Sequence, residues 1–124
     1  MLQPGSTYSA VVGAVIANQR EILDVSQAQL AEAVGIGQPA WSRIEKGESA
    51  LTIDQLARAA SKLNSSPSEL LHMADRTVTE MREQELEISY EKPQRKSNAA
   101  KNTGLLLLGG AALATLIYAA NKSK

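Results

Sequence analysis

The chain has 124 residues, with 13 Lys and Arg against 13 Asp and Glu, one His and no Cys. That length allows one compact domain with extensions, and the lack of Cys excludes disulfides, thiolate metal sites and thiol nucleophiles together. Residues 1–73 carry Arg20, Arg43, Lys46, Arg58 and Lys62 against Glu21, Asp24, Glu32, Glu45, Glu48, Asp54 and Glu69, a net negative balance that argues against broad nonspecific attraction to phosphates.

No basic start followed by an apolar core and a small-residue cleavage site lies within Met1–Val25, so a secretory signal is not expected. The first predicted helix is capped by Ser6 and runs from Tyr8 to about Leu23, with Val12, Val15, Ile16, Ala17 and Ile22 at roughly helical spacing. Ser26-Gln27-Ala28-Gln29 is a capping box that opens a second, short helix with Leu30, Ala31 and Val34 inward and Gly35 as its stop. A third helix follows over Gln38–Lys46, with Pro39 in its first turn, where no intrahelical bond is lost, and Gly47 placed for a left-handed cap. Thr52-Ile53-Asp54-Gln55 opens a fourth with Leu56, Ala57, Ala60 and Leu63 inward, and Ser66-Pro67-Ser68-Glu69 a fifth through Leu70, Leu71 and Met73.

These five helices and the absence of a β-run predict an all-α domain over residues 6–74. The acidic stretch Asp75–Glu91 and the basic one Lys92–Lys101 then read as a charged, partly helical linker over 75–102 that approaches a surface.

The second and third helices and their glycine-containing turn, SQAQLAEAVGIGQPAWSRIEKGE, resemble the helix-turn-helix of the Xre or lambda-repressor-like (Cro/CI-type) DNA-binding family. The resemblance extends over about Val11–Leu71 and rests on Ser26-Gln27, Leu30-Ala31, Gly35, Gln38, Ser42-Arg43-Ile44-Glu45 and Gly47 standing in register. It implies a five-helix fold whose third helix enters the major groove of double-stranded DNA. It also implies that Gln38 and Arg43 read bases, that Gln27 contacts the backbone, and that Ser42 and Lys46 lie towards phosphates. The side chains suit those tasks, since Gln pairs in bidentate fashion with adenine and Arg with guanine. The same resemblance pairs Arg20 with Glu45 as a structural ion pair between the first and third helices and makes Trp41 a core residue. Pro39 and Ala40 depart from it, standing where many relatives place polar side chains. With few basic residues available, dimerisation on paired half-sites is the expected source of affinity.

No catalytic constellation competes: His72 has no second His or Cys, and the carboxylates read as helix surface and linker. Neither an enzyme activity, a metal nor a cofactor is expected.

Residues 103–120, TGLLLLGGAALATLIYAA, are uncharged and mostly apolar. As a helix they would reach roughly 27 Å, just short of the ~30 Å hydrocarbon core of a bilayer. A transmembrane helix is therefore expected, with a short tail over 121–124. Lys92, Arg95, Lys96 and Lys101 before the run, against Lys122 and Lys124 after it, place the amino-terminal domain in the cytoplasm at the inner membrane. Ala111, Thr115 and Ala119 form a small-residue face suited to helix pairing. The whole predicts a membrane-tethered, dimeric, sequence-specific transcriptional regulator. Two alternatives stand beside it: a protein-interaction module like that of the RodZ-type cell-shape proteins, whose similar domain engages a cytoskeletal filament, and a regulator whose apolar tail is buried in an oligomer.

Overall fold

The structure is a computed structural model that describes residues 3–92 and 110–122. Its elements in chain order are β1 (Gln3–Thr7), α1 (Tyr8–Ile22), α2 (Gln27–Val34), α3 (Gln38–Glu45), α4 (Ile53–Lys62), α5 (Pro67–Glu83), β2 (Leu86–Ser89) and α6 (Gly110–Asn121). Local chemistry accounts for most of the helix starts. Ser26 with Gln29 and Thr52 with Gln55 form complete capping boxes, each side chain accepting from or reaching back to the other's backbone. The third box is half made: Ser66 accepts from the Glu69 N–H, while the Glu69 carboxylate turns to the Ser65 hydroxyl. Gly35 ends α2 at φ 92°, a left-handed conformation that a side chain would strain.

The core joins one stripe from each helix: Val11, Val15 and Ile16 of α1, Leu30, Ala31 and Val34 of α2, Trp41 and Ile44 of α3, Leu56, Ala59 and Ala60 of α4, and Leu70 of α5. Two predicted core residues face outward. Ile22 is the last residue of α1 and is 66% exposed, and Ala57 gives way to Ala59 on the buried face of α4.

The amino-terminal cap is Thr7, whose Oγ1 accepts from the Ala10 N–H; the expected cap, Ser6, is instead a buried residue of β1. β1 pairs in parallel with β2, Gln3 opposite Leu86 and Thr7 opposite Ser89, with an irregularity between Pro4 and Ser6. The fold is thus mostly helical but not all-α. A two-stranded ribbon of this kind is too small to be stable alone and depends on the packing around it, which α1 and α5 supply.

Of the segment expected to be a charged, partly helical linker, residues 75–92 are described. α5 continues through Glu83 because Ala74, Thr77, Val78 and Met81, at i, i+3, i+4 and i+7, make a buried stripe. What covers that stripe is α6, which packs on α5 and α1 and buries Leu113, Leu116 and Ile117. No helix among the described residues is long and apolar enough to cross a membrane. α6 has 12 residues, a length of about 18 Å, and residues 103–109 of the expected span lie outside the described residues. The physical reason for the difference is that the carboxy-terminal half of the apolar run finds a protein surface to bury against within its own chain.

Candidate nucleic-acid interface

Gln27 is the first residue of α2 and Gln38 the first of α3. The short turn between the two helices brings these starts together: the Gln38 Nε2 donates to the Gln27 Oε1 at 3.3 Å. Gln27 in turn donates its own Nε2 to Glu45 Oε1 at 2.9 Å. Glu45 is the last residue of α3, so the contact ties the amino terminus of α2 to the far end of the next helix.

The Glu45 carboxylate is the hub of the site. Its Oε2 accepts from Arg20 Nε at 2.8 Å and from Trp41 Nε1 at 2.6 Å, and its Oε1 from Arg20 Nη2 at 3.1 Å as well as from Gln27. Arg20 also donates through Nη1 to the Val25 carbonyl, which fixes the α1–α2 connection to the same group. The Arg20 and Glu45 side chains are 12% and 5% exposed. A desolvated pair of this kind is tolerable because the fork geometry and the added donors satisfy every charged oxygen. Trp41 was expected in the core and is fully buried there, but its indole N–H has the further task of holding Glu45.

At 100° per residue, Gln38, Ser42, Lys46 and Arg43 fall within an arc of about 140° on α3, opposite the buried Trp41 and Ile44. Gln38 and Lys46 are exposed, and Ser42 and Arg43 half-buried. Among the described residues, Arg43 and Lys46 form no ion pair and their side chains make no hydrogen bond, which leaves both cationic groups available to a ligand. Pro39 lies in the middle of this arc and offers no donor. The structure therefore joins Gln27 and Gln38 directly, places Ser42, Arg43 and Lys46 beside them on one face, and sets Arg20 and Glu45 behind that face as its support.

Gly13, which the sequence did not bring forward, and Gly47, expected as a left-handed cap, complete the arrangement. Gly13 of α1 lies against the backbone of α3: a Cβ there would strike the Ile44 carbonyl oxygen and stand 3.4 Å from Glu45 Cα. Gly47, at φ 79°, turns the chain away after α3, and a Cβ on it would meet Ala10 Cβ at 2.5 Å. A glycine inside an otherwise good helix is the signal that could have drawn attention to Gly13. His72 is exposed on α5, and no group of His, Cys, Asp and Glu among the described residues could hold a metal.

The helix-turn-helix family (HTH_3) matches residues 16–70, which contain α2, α3, α4 and Arg20. The crystal structure of the clp gene regulator ClgR from Corynebacterium glutamicum is similar, with a TM-score of 0.60 and 24% identity over 63% of this chain and 83% of that one. A comparison with curated proteins gives no match. The chain carries, over residues 16–70, a helix-turn-helix domain of the Cro/CI (Xre) family.

Proposed function

We propose that the protein is a sequence-specific regulator that binds double-stranded DNA through α3, with Gln38 and Arg43 at base edges and Gln27, Ser42 and Lys46 towards the backbone. The observation that carries this reading is the Gln27–Gln38 pair at the adjoining helix starts, on the same face as two cationic side chains that have no partner among the described residues. In helix-turn-helix docking the amino-terminal residues of the second helix meet the bases, and an amide there can pair with adenine in bidentate fashion. The clp gene regulator of similar fold supports a role in transcription.

One domain brings few cations, since residues 1–73 are net acidic, so the proposal includes binding as a homodimer on two half-sites. A membrane tether rests on the sequence of residues 103–120 alone. α6 commits Leu113, Leu116 and Ile117 to the domain's own core, and the same side chains cannot be buried in lipid at the same time. The proposal accordingly has α6 docked on α5.

Selection of duplexes from a random pool tests the function. The parent is expected to enrich a defined sequence, and the Gln38→Ala, Arg43→Ala double variant to lose it while staying folded. A folded parent that enriches nothing would sink the DNA reading and favour a protein-interaction module, which the net negative charge suits.

A further inference from the structure

We propose that Glu45, which lies behind the DNA-facing surface, is a positioning residue that sets the base preference of Gln38 by fixing the orientation of two amides in series. The inference rests on the DNA-binding reading above and adds to it a residue that touches no base.

A carboxylate accepts hydrogen bonds and donates none, whereas the end of a Gln side chain has one donating and one accepting atom. Glu45 therefore admits only the nitrogen end of the Gln27 amide, and that contact is made at 2.9 Å. With Nε2 turned to Glu45, Gln27 directs Oε1 at α3, where it can only accept. Gln38 answers with Nε2 at 3.3 Å. The order of donors and acceptors thus runs in one direction from the buried carboxylate to the exposed reader.

The consequence lies in what Gln38 has left. One N–H of Nε2 is spent on Gln27; the other N–H and Oε1 remain, with the nitrogen on the Gln27 side. A donor and an acceptor side by side match N7 and the N6 amino group of adenine. Guanine presents two acceptors, N7 and O6, and would set O6 against Oε1. Turned over, the same amide would set Oε1 against adenine N7 and its amino group against N6 and lose both contacts, so the preference depends on which end of Gln38 the lock presents.

The lock is well anchored. Arg20 approaches Glu45 through two nitrogens and Trp41 donates at 2.6 Å, so the carboxylate is held by three hydrogen bonds from two side chains before Gln27 arrives. Its side chain is 5% exposed, which limits competition from water.

The experiment compares adenine with guanine at the duplex position whose preference vanishes in Gln38→Ala, using the full chain. Glu45→Gln keeps the shape and replaces one acceptor by a donor. Its oxygen is expected to stay with Arg20 Nε and Trp41, its amino group to face Gln27, and both amides to reverse in turn. The adenine-to-guanine affinity ratio should fall by about tenfold or more, the scale of one bidentate contact. Trp41→Phe is the control, because it removes a donor to Glu45 and leaves the carboxylate an acceptor; its ratio should match the parent's. In a Gln27→Met background, which cuts the series in the middle, Glu45→Gln should change the ratio no further.

An unchanged ratio in folded Glu45→Gln overturns the inference, as does an equal fall in Trp41→Phe or an additional fall in the Gln27→Met background. A parent that prefers another base at that position overturns it too. Should Glu45→Gln not fold, the parent decides the matter by NMR: a cross-relaxation signal between the Trp41 indole N–H and the Gln27 side-chain N–H protons is expected, and its absence refutes the lock. A parent that selects no sequence overturns the DNA reading and this inference with it, whereas a selective parent with an unchanged Glu45→Gln ratio overturns this inference alone.

Discussion

Gly13→Ala separates helix propensity from helix packing, because the two act in opposite directions at this position. In an isolated helix the change is favourable by about 1 kcal/mol, since glycine loses the most backbone freedom on ordering. Here the new methyl meets the Ile44 carbonyl oxygen, a backbone atom that cannot rotate aside, with Ile44 C at 3.2 Å and Glu45 Cα at 3.4 Å next in line. α1 and α3 must separate by about 1 Å, a gap that forfeits roughly a quarter to a half of the dispersion energy across the contact. Overpacking of this kind costs about 1–3 kcal/mol. Because Arg20 on α1 reaches Glu45 on α3, the same separation also lengthens the ion pair. The net expectation is a loss of about 1–2 kcal/mol, or roughly 5–10 °C in Tm for a domain of this size. Thermal unfolding followed by far-ultraviolet circular dichroism measures it. A Tm equal to or above the parent's would show that propensity governs and that α1 does not press on the α3 backbone.

Two further outcomes follow from the structure. Ile117 is 1% exposed against the α5 stripe, so Ile117→Ala should lower urea stability by about 2–4 kcal/mol; an unchanged midpoint would mean that α6 contributes nothing to the domain. Burial, with the hydrogen bond to and charge of Asp75 and the neighbouring Tyr90, pushes the Tyr8 phenol up from 10.0 to about 12. Its native form therefore holds a proton that the unfolded chain releases, and the Tyr8 contribution to stability should be level below pH 10 and decline as pH rises from 10 towards 12. Tyr8→Phe should remove that part of the alkaline decline in pH-dependent urea titrations, and a slope identical to the parent's would contradict the assignment.

The sequence by itself determined the helix-turn-helix. Ser26-Gln27-Ala28-Gln29 and Thr52-Ile53-Asp54-Gln55 act within one helical turn, and Gly35 needs only its own φ, so these starts and this stop were legible without knowledge of any neighbour. The candidate site residues were legible for a related reason, as the order Gln27, Gln38, Arg43 stands in register with a known motif. Tertiary structure decided the rest. The chain from Glu45 through Gln27 to Gln38 links residues on two helices and depends on which end of each amide faces which neighbour, information that no spacing contains. Gly13 matters only because α3 lies against it. The stripe Ala74, Thr77, Val78 and Met81 is ambiguous between surface and core until its cover is known, and that cover arrives from α6, far along the chain. Apolar residues at 110–121 carry the instruction to leave water, but hydrophobicity has no direction: whether they leave it for a membrane, another chain or this domain depends on the surface that meets them.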